Sequence, residues 1–338
     1  MPAHEQSDMN NDRLTEQVLS DIAIMFGKIP ASYDGTQSGY RNMSHFFTTT
    51  AGERLNFILY KDEPDIVGLI KRTNGLGHHV VAKGLPVRSP VDERIIAVGR
   101  RFGSLYGYLE GETIPWEAYT MKHIKLLGFA LARFHAGAQD YEGKLPAVED
   151  VYVKACQRMV HYFAGADVQR AMQEKLGITL TLPDWLDMLE FAQRLPDRVV
   201  LHMDFVRSNL LFGENTASTG LSVGSVAMLG ILDLEKAAKG SVLFDLARTL
   251  AFLLVDCDKP AIKVQKYFLE SGYQKRGGGN IQPITFGGAD LLDQLTAMFL
   301  VYDFYKFLRQ NPYESLSQNH HYIKTVAQLI NRGIAVSG

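Results

Sequence analysis

The sequence predicts an α+β protein in which a small β-rich N-terminal lobe precedes a larger, mainly helical C-terminal lobe. Two observations support this fold class. The first 110 residues or so contain five short runs of β-forming residues around one helix-like segment. Beyond them, apolar residues recur at spacings of three and four, which is typical of helices with one buried face. We therefore expect two structural regions of different character.

The domain boundaries follow from the same change in pattern. Residues 1–13 are polar and predict a disordered N-terminus, residues 14–110 form the expected N-terminal lobe, and residues 111–338 form the expected C-terminal lobe. The junction is a short extended segment, 106–111. Ligands favour clefts between such lobes.

The elements of the N-terminal lobe are read from local patterns. We expect a helix from about Leu14 to Lys28, and "DIVGLIKRTNGLGHHVVAKG" predicts a second helix whose middle is weakened by Gly75 and Gly77. "NMSHFFTTT" and "ERLNFILYK", separated by "AG", predict an antiparallel hairpin. The three remaining short strands are predicted at "LPVRSP", "RIIAV" and "SLYGYL".

The C-terminal lobe is predicted to be a series of amphipathic helices. Two apolar strands around the stretch "VVLHMDFVRSNLLF", at 199–212, interrupt the series. The predicted helices lie at about 119–136, 151–163, 183–194, 243–255, 261–271, 289–309 and 321–332.

Composition excludes several classes of protein. Hydrophobic residues make up 46% of the chain, which predicts a globular protein, and a net charge of -2 gives no reason to expect a nucleic-acid or membrane-surface partner. The two cysteines are far apart and indicate no disulfide framework. No apolar run reaches the ~20 residues of a membrane-spanning helix, and the N-terminus is no signal peptide. A cytoplasmic location is expected.

Polar residues in "VVLHMDFVRSNLLF" stand between two apolar runs, where strand packing does not require them. Asp204 and Asn209 lie there, and Asp233 follows the apolar strand "VAMLGIL". Polar groups beside buried strands are costly without partners. An amide and a carboxylate can share one hard cation such as Mg²⁺, and a carboxylate that does not bind the metal can deprotonate a hydroxyl. Phosphoryl transfer needs this division of roles.

Two motifs carry a family resemblance. "HMDFVRSN" resembles the H-x-D-x-x-x-x-N catalytic loop of the aminoglycoside phosphotransferase and choline kinase-like enzymes, which are relatives of the protein kinases. "ILDLEKAAKGSVLFDLA" is similar to the metal-binding D-x-E of the family and its trailing D-L-A. Looser matches are "GYRNMSHFF", "KGLPV" and "LARFHA". The resemblance runs from about residue 38 to 255. It implies a two-lobed protein kinase-like fold and transfer of the γ-phosphate of ATP to a hydroxyl of a small molecule.

The resemblance implies roles at the catalytic loop. Asp204 would be the catalytic base, and His202 would brace the loop, although a purely structural histidine is the simpler interpretation of His202 alone. Arg207 would stabilise charge on the transferring phosphoryl group, or it pairs with a surface carboxylate. Asn209 and Asp233 would bind Mg²⁺.

The same resemblance implies residues for metal and nucleotide. Glu235 would assist a second Mg²⁺ ion. The nucleotide-covering hairpin would contribute Arg41, Asn42 and Ser44, and adenine would lie near Tyr106 and Tyr108.

The position of the phosphate-binding lysine depends on the alignment. Lys61 is the best candidate, but a second alignment places Ile58 at the lysine position. Thr73 and Asn74 stand where the usual partner glutamate is expected, so either an acidic residue of 62–65 (Asp62, Glu63 or Asp65) substitutes for it or the lysine is held differently. A catalytically impaired nucleotide-binding protein is therefore the alternative function.

The acceptor is left open by the sequence. An aminoglycoside, choline or ethanolamine, an amino-alcohol and a sugar all fit the resemblance, and the oligomeric state is undetermined. The helical lobe offers an acidic and aromatic pocket for a cationic acceptor, or a solvated helix surface, which is the simpler interpretation. The residues concerned are Asp256, Asp258, Glu270, Tyr302, Asp303 and Tyr305.

Overall fold

The computed structural model describes residues 3–39, 42–215, 220–277, 279, 281–311, 313–316 and 318–337. The chain forms two compact units. The first holds residues up to Glu110 together with Gly230–Glu235, and the second holds Gly111–Leu229 and the chain from Lys236 onwards. A small antiparallel sheet and many helices confirm the predicted α+β class.

The first unit is built on a five-stranded sheet and two helices. Its strands pair antiparallel in the order β1-β2-β3-β5-β4. The elements are α1 Ala3–Phe26, β1 Pro30–Ser38, β2 Met43–Thr49, β3 Arg54–Leu59, α2 Ile66–Ala82, β4 Ile96–Val98 and β5 Arg101–Gly107.

Helix α1 begins at Ala3, and the disorder expected for residues 1–13 stays a prediction. Two other segments of this unit differ from what the sequence predicted. Strand β1 was not predicted, because nearly all of its polar residues are exposed and no apolar alternation marks it. "LPVRSP" forms only isolated bridges, of Val87 with Ile231 and of Pro90 with Tyr106.

The sheet of the first unit is apolar on both faces. Phe57 and Leu59 of β3 pack with the α1 residues Val18 and Ile22. Since alternate strand residues face opposite sides, Ile58 lies on the other face and packs against α2 with Tyr60 and Tyr106; the α2 partners are Ile66 and Ile70. Ser44, which pairs with Ile58 across the β2–β3 ladder, lies on this second face together with Tyr106.

The second unit is mainly helical. Its helices are α3 Met121–Gly137, α4 Val148–Phe163, α5 Ala166–Ala171, α6 Trp185–Gln193, α7 Val242–Asp256, α8 Ala261–Gln265, α9 Leu291–Gln310 and α10 His320–Asn331. A π-helical segment extends α5 over Met172–Leu176, and another extends α8 over Lys266–Tyr273. The predicted helices are all present, whereas α5 was missed.

Short strands connect these helices. In chain order these strands are β6 Ile178–Leu180, β7 Val199–Leu201, β8 Leu210–Glu214, β9 Ser222–Val223, β10 Val226–Ile231, β11 Ala238–Gly240, β12 Thr285–Phe286, β13 Ala289–Asp290 and β14 Ala335–Ser337. Strand β7 pairs antiparallel with β11, and β8, β10 and β9 form a three-stranded sheet. Across the described part of the chain, no helix has the length and apolar character to cross a membrane.

A close helix contact uses two glycines. A Cβ atom at Gly128 of α3 would lie 2.1 Å from the carbonyl oxygen of Phe268, and one at Gly272 would lie 2.6 Å from the carbonyl oxygen of Lys125. Helix α3 therefore meets the 266–273 segment backbone to backbone. The contact brings Tyr273 next to His135 at the end of α3.

Candidate active site

The predicted catalytic loop follows β7 in the second unit. Val200 and Leu201 are buried, and the loop residues His202 and Asp204 are 0% and 7% exposed. The apolar run therefore anchors the loop in the core, and the polar side chains are held away from bulk water. Such groups need partners inside the protein.

Asp245 supplies those partners for the loop backbone. Its carboxylate accepts the N–H of His202 at 2.7 Å, the N–H of Met203 at 2.6 Å and Nε2 of His135 at 2.9 Å. Met203 has a φ of 61°, a left-handed conformation that is strained for a side chain of this size. Asp245 is fully buried at the start of α7. Its hydrogen bonds to the N–H groups of His202 and Met203 hold this strained backbone in place.

The ring of His202 completes the loop. Its Nδ1 accepts the backbone N–H of Asp204 at 3.2 Å, and the ring lies edge-on to Phe134 and Phe205, each at a centroid distance of 5.4 Å. His202 therefore contacts the backbone of Asp204. This geometry agrees with the bracing role that was expected, which stays a prediction.

The Asp204 carboxylate has two partners. Nδ2 of Asn209 donates to the backbone oxygen of Asp204 at 3.0 Å and to Oδ2 at 3.1 Å, and the Lys236 ammonium lies 2.7 Å from Oδ2. Burial raises the pKa of Asp204, but the charge of Lys236 and its hydrogen bond outweigh burial and lower the pKa below its usual value. The carboxylate is therefore ionised at neutral pH.

Lys236 was missed by the sequence reasoning. It directly follows the D-x-E motif in "DLEK", but a lysine in a turn reads as a surface charge. Arg207, which was expected to be the functional cation, lies exposed in a short 3₁₀ turn, Arg207–Asn209. Within the described residues it is Lys236, not Arg207, that pairs with Asp204.

Arg248, Asp303 and Lys306 form a second group of paired charges in this unit. Nη1 of Arg248 is 2.7 Å from Oδ2 of Asp303, and Nζ of Lys306 is 2.8 Å from Oδ1. Arg248 is buried, and its guanidinium lies over the rings of Phe252, Phe299 and Tyr302. Burial raises the pKa of Asp303, but the charges of Arg248 and Lys306 lower it overall.

The acidic residues considered for a cationic acceptor are largely paired already. Asp256 lies 3.0 Å from Nδ1 of His321, and Asp258 lies 2.5 Å from Nζ of Lys324. Asp303 holds Arg248 and Lys306. Glu270 instead lines two adjoining surface cavities of about 160 and 400 Å³. Three of these four carboxylates, Asp256, Asp258 and Asp303, are therefore paired with basic side chains.

Within the first unit, the hairpin residue Asn42 is hydrogen-bonded to Glu235 of the D-x-E motif. Nδ2 of Asn42 donates to Glu235, and its Oδ1 accepts the backbone N–H of Lys61 at 3.2 Å. Asn42 and Lys61 also line an open cavity of about 430 Å³. Arg41 lies outside the described residues. Ser44 stands opposite Ile58 across the β2–β3 ladder.

Lys61 is exposed and lies beyond the end of β3. Its ammonium is 3.8 Å from Glu63. Asn74 stands where the resemblance would place a helix glutamate. It accepts the hydroxyl of Tyr106 at 2.7 Å and donates to Ser104 at 3.1 Å. A neutral hydrogen-bond network thus occupies the place of that acidic partner.

Two tyrosines were assigned to the adenine region. The hydroxyl of Tyr106 is buried and also lies 2.7 Å from that of Tyr60, so its side chain belongs to the core. Tyr108 is partly exposed and stacks under the Arg54 guanidinium at 3.8 Å. Its ring is the more accessible of the two.

Asn209 and Asp233, the predicted metal ligands, carry oxygen atoms of the kind that Mg²⁺ binds. The amide nitrogen of Asn209 is held by Asp204, and its oxygen accepts the Ser208 hydroxyl at 3.5 Å. Asp233 has a φ of 57° and accepts the N–H of Glu235 at 3.1 Å through one oxygen. Amide and carboxylate oxygens fit Mg²⁺. Among the described residues, no three His, Cys, Asp or Glu side chains are grouped as ligands of one ion.

Solved structures share the fold of the whole chain. The apoenzyme of a macrolide 2'-phosphotransferase from Brachybacterium faecium has a TM-score of 0.57 at 18% identity, over 93% of this chain and 97% of that one. An amicoumacin kinase in complex with AMP-PNP, Ca²⁺ and Ami has a TM-score of 0.64 at 12% identity, over 94% and 93%. The GDP complex of aminoglycoside 2'-phosphotransferase-IIIa has 0.55 at 14%, over 94% and 97%. The predicted kinase-like fold is confirmed.

The sequence itself also matches a family. No curated protein matches the chain significantly. The model of the phosphotransferase enzyme family matches residues 35–276, a range that includes the catalytic loop and the D-x-E motif. The resemblance inferred from these two motifs is thereby confirmed, and the chain belongs to the phosphotransferase enzyme family.

Proposed function

We propose that the protein is a small-molecule kinase that transfers the γ-phosphate of ATP to a hydroxyl group. The observation that carries the proposal is the buried, ionised carboxylate of Asp204, held by Asn209 and paired with Lys236. The solved amicoumacin kinase contains an ATP analogue, which supports ATP as the donor. Another relative holds GDP, so GTP is the donor to compare.

The reaction needs one base and one cation near the attacking oxygen. The acceptor hydroxyl hydrogen-bonds to Asp204, and its oxygen forms a bond with the γ-phosphorus. The bond from that phosphorus to the bridging oxygen breaks, ADP leaves, and the proton passes to Asp204. The Lys236 ammonium stabilises the charge on the transferring phosphoryl group. Arg207 is the second candidate for this charge, and His202 braces the loop.

The metal ligands are proposed from the motif positions and their oxygen atoms. The amide oxygen of Asn209 and the carboxylate of Asp233 would hold Mg²⁺, with Glu235 assisting a second ion. When bound, the metal would neutralise phosphate charge and orient the nucleotide. The engaged amide nitrogen of Asn209 supports this assignment, because it leaves the oxygen for a cation.

The nucleotide residues are proposed from the hairpin resemblance. Asn42 and Ser44, together with Arg41, would cover the phosphates, and Lys61 would contact them. Adenine would bind the backbone between Tyr106 and Leu109, next to the Tyr108 ring. The cavity that Asn42 and Lys61 line supports this placement.

The test is ATP turnover with a panel of hydroxyl compounds, read as ADP release and as phosphorylated product. Asp204→Asn should lower turnover by about 10²–10⁴-fold, while the affinity for Mg·ATP and the circular dichroism spectrum stay near wild type. Asp167→Asn is the control, because Asp167 is 97% exposed. Nucleotide binding without any turnover in the wild type would favour the impaired nucleotide-binding protein, which the neutral Asn74 network already suggests.

A further inference from the structure

The open cavity of about 430 Å³ in the first unit lies at one end of the five-stranded sheet. Ser38 of β1 pairs with Met43 of β2, Met43 pairs with Leu59 of β3, and Leu59 pairs with Gly103 of β5. Partners across an antiparallel ladder stand directly opposite one another. The turn between β1 and β2, the end of β3 and the start of β5 therefore lie side by side at this cavity.

Arg101, the first residue of β5, lines the cavity together with Asn42 and Lys61. Its Nε donates to the carbonyl oxygen of Tyr60 at 2.8 Å, and its Nη2 donates to that of Leu59 at 2.9 Å. These two hydrogen bonds hold the guanidinium at the end of β3. A guanidinium has five N–H donors, and the described residues engage two of them. The other donors are left for a ligand.

The charge of Arg101 is not balanced within the described part of the chain. Arg101 is partly buried, and burial lowers its pKa from the ordinary value of 12.5, with no carboxylate among the described residues acting against burial. The guanidinium is nevertheless charged at neutral pH. A partly buried charge without a counter-charge is costly. A bound anion would supply that counter-charge, so the arrangement favours an anionic ligand.

The other charged side chains of the lining are compatible with an anion. The Lys61 ammonium lies 3.8 Å from Glu63, and the Lys61 side chain is 60% exposed. Exposed pairs of this kind are weak, so Lys61 can turn toward a ligand. Asp62 also lines the cavity, and its carboxylate lies 3.6 Å from Nη2 of Arg100. Among the described residues, two cations thus line the cavity against one carboxylate that is already paired.

A phosphate group suits this pair of cations better than a carboxylate does. A phosphate ester carries about two negative charges and three terminal oxygens, whereas a carboxylate carries one charge and two oxygens. The planar fork of an arginine binds two phosphate oxygens at once, and a lysine adds a point charge. Because the cavity is open, the phosphate can belong to a larger molecule.

We propose that Arg101, together with Lys61, binds a phosphate group in this cavity. The phosphate chain of the nucleotide is one source of that group, and for this source the inference rests on the proposed kinase function. Arg101 then supplies a fixed cation next to Lys61. A free phosphate ion, held in the same cavity independently of the nucleotide, is the other source. The chemistry of the site is the same for both.

Calorimetry of wild type and Arg101→Met tests the proposal with ATP, adenosine and inorganic phosphate as ligands. If the nucleotide supplies the phosphate, Arg101→Met should weaken ATP binding at least tenfold and change adenosine binding by less than twofold. If a free ion supplies it, Arg101→Met should weaken the binding of inorganic phosphate at least tenfold and leave ATP binding unchanged. Affinities for ATP and inorganic phosphate that both stay within twofold of wild type would overturn the proposal.

Two further variants separate charge from structure. Arg100→Met removes the same charge at a neighbouring arginine that is 93% exposed, and it should change none of these affinities by more than twofold. Arg101→Lys keeps the charge but not the planar fork, so its affinity should lie between those of wild type and Arg101→Met. If circular dichroism shows that Arg101→Met is unfolded, Arg101→Lys carries the test, with an expected loss of about threefold.

A purely structural role for Arg101 gives a different result. If the guanidinium only holds the end of β3, ATP and adenosine binding should weaken equally in Arg101→Met, and Arg101→Lys should bind no more tightly than Arg101→Met. Either result would refute the phosphate site.

The binding measurements also separate this inference from the kinase proposal, because they need no turnover. Weaker binding of a phosphate-bearing ligand to Arg101→Met, in a protein that releases no ADP with any hydroxyl compound, would leave the phosphate site in place and count against the kinase proposal. ATP turnover in the wild type, with the KM for ATP and all three affinities unchanged in Arg101→Met, would leave the kinase proposal in place and overturn the phosphate site.

Discussion

The ammonium nitrogen of Lys236 lies 2.7 Å from Oδ2 of Asp204, and this pair sets the charge of the proposed base. Asp204 is only 7% exposed, and burial acts to raise its pKa. The charge of Lys236 opposes burial, with smaller contributions from Arg248 and His202, and the pKa of Asp204 lies below its usual value. The base is therefore ionised, and ready to accept a proton, at neutral pH.

The first prediction concerns this pair. The folded pKa of Asp204 is below its ordinary value of 3.8, so the base stays ionised until the pH falls below that value. In Lys236→Met, burial acts without the opposing charge and raises the pKa. The acidic limb of kcat/KM against pH should therefore move to higher pH, and kcat should also fall. Lys144→Met, at an exposed lysine of the same unit, is the control. An unmoved acidic limb in Lys236→Met would contradict the assignment.

A second prediction concerns Asp245. Its carboxylate accepts the N–H groups of His202 and Met203 as well as Nε2 of His135. An Asn side chain has one acceptor oxygen, and its NH₂ group would face a donor. Asp245→Asn should therefore lower the free energy of unfolding by about 3 kcal/mol, since it leaves buried donors unpaired. Urea denaturation measures this loss.

The control for Asp245 is Asp184, an exposed N-cap that accepts the N–H of Leu186. Because Asn caps helices about as well as Asp, Asp184→Asn should be nearly neutral. Equal stability of Asp184→Asn and Asp245→Asn would show that the clamp on the loop is not needed for folding.

A third prediction tests the contact between α3 and the 266–273 segment. A Cβ at Gly128 would lie 2.1 Å from the Phe268 oxygen and 2.7 Å from the Tyr273 nitrogen, both backbone atoms. Alanine is the better helix former by ~1 kcal/mol, but the clash outweighs that gain, so Gly128→Ala should lower the free energy of unfolding by about 1–3 kcal/mol. Gly107→Ala, where a Cβ meets nothing within 4 Å, should be nearly neutral. Thermal and urea unfolding would show the difference.

Local patterns in the sequence predicted much of this fold. The apolar spacing of three and four located the major helices of the second unit, because those helices bury one face. The predictions failed where that pattern is absent. Strand β1, which was not predicted, is polar and mostly exposed.

The candidate site was predictable only where its residues are close in sequence. Asp204 and Asn209 are five positions apart and could be read as one motif. Arg248 and Asp303 are 55 positions apart, and Lys236 follows Asp204 by 236 − 204 = 32 positions. Such pairs depend on how helices and turns pack, which no local spacing reports. The sequence left open whether Asp303 faces an acceptor or solvent for the same reason, since the cations paired with Asp303 include Arg248 from a distant part of the chain.

The last prediction concerns His45 in β2. The side chain is fully buried, and its Nε2 has no hydrogen-bond partner among the described residues. Burial, and after it the charge of Arg101, lowers the pKa of His45 from 6.5 to about 4. The unfolded chain therefore binds a proton as the pH falls below 6.5, whereas the folded chain does not until about pH 4. The stability contribution is complete above pH 6.5 and is lost as the pH falls toward the folded pKa.

The size of the effect follows from the two pKa values. One unit corresponds to about 1.4 kcal/mol, so the free energy of unfolding should fall by about 2 kcal/mol between pH 7 and pH 5 through this residue alone. Because glutamine cannot titrate, the free energy of unfolding of His45→Gln should fall by about 2 kcal/mol less than that of the wild type between pH 7 and pH 5. This difference does not depend on the stability of the variant at pH 7. His161→Gln, at an exposed histidine, should retain the wild-type dependence. Urea unfolding at pH 5, 6 and 7 tests this prediction. The same pH dependence in wild type and His45→Gln would mean that His45 is protonated equally in the folded and unfolded chains.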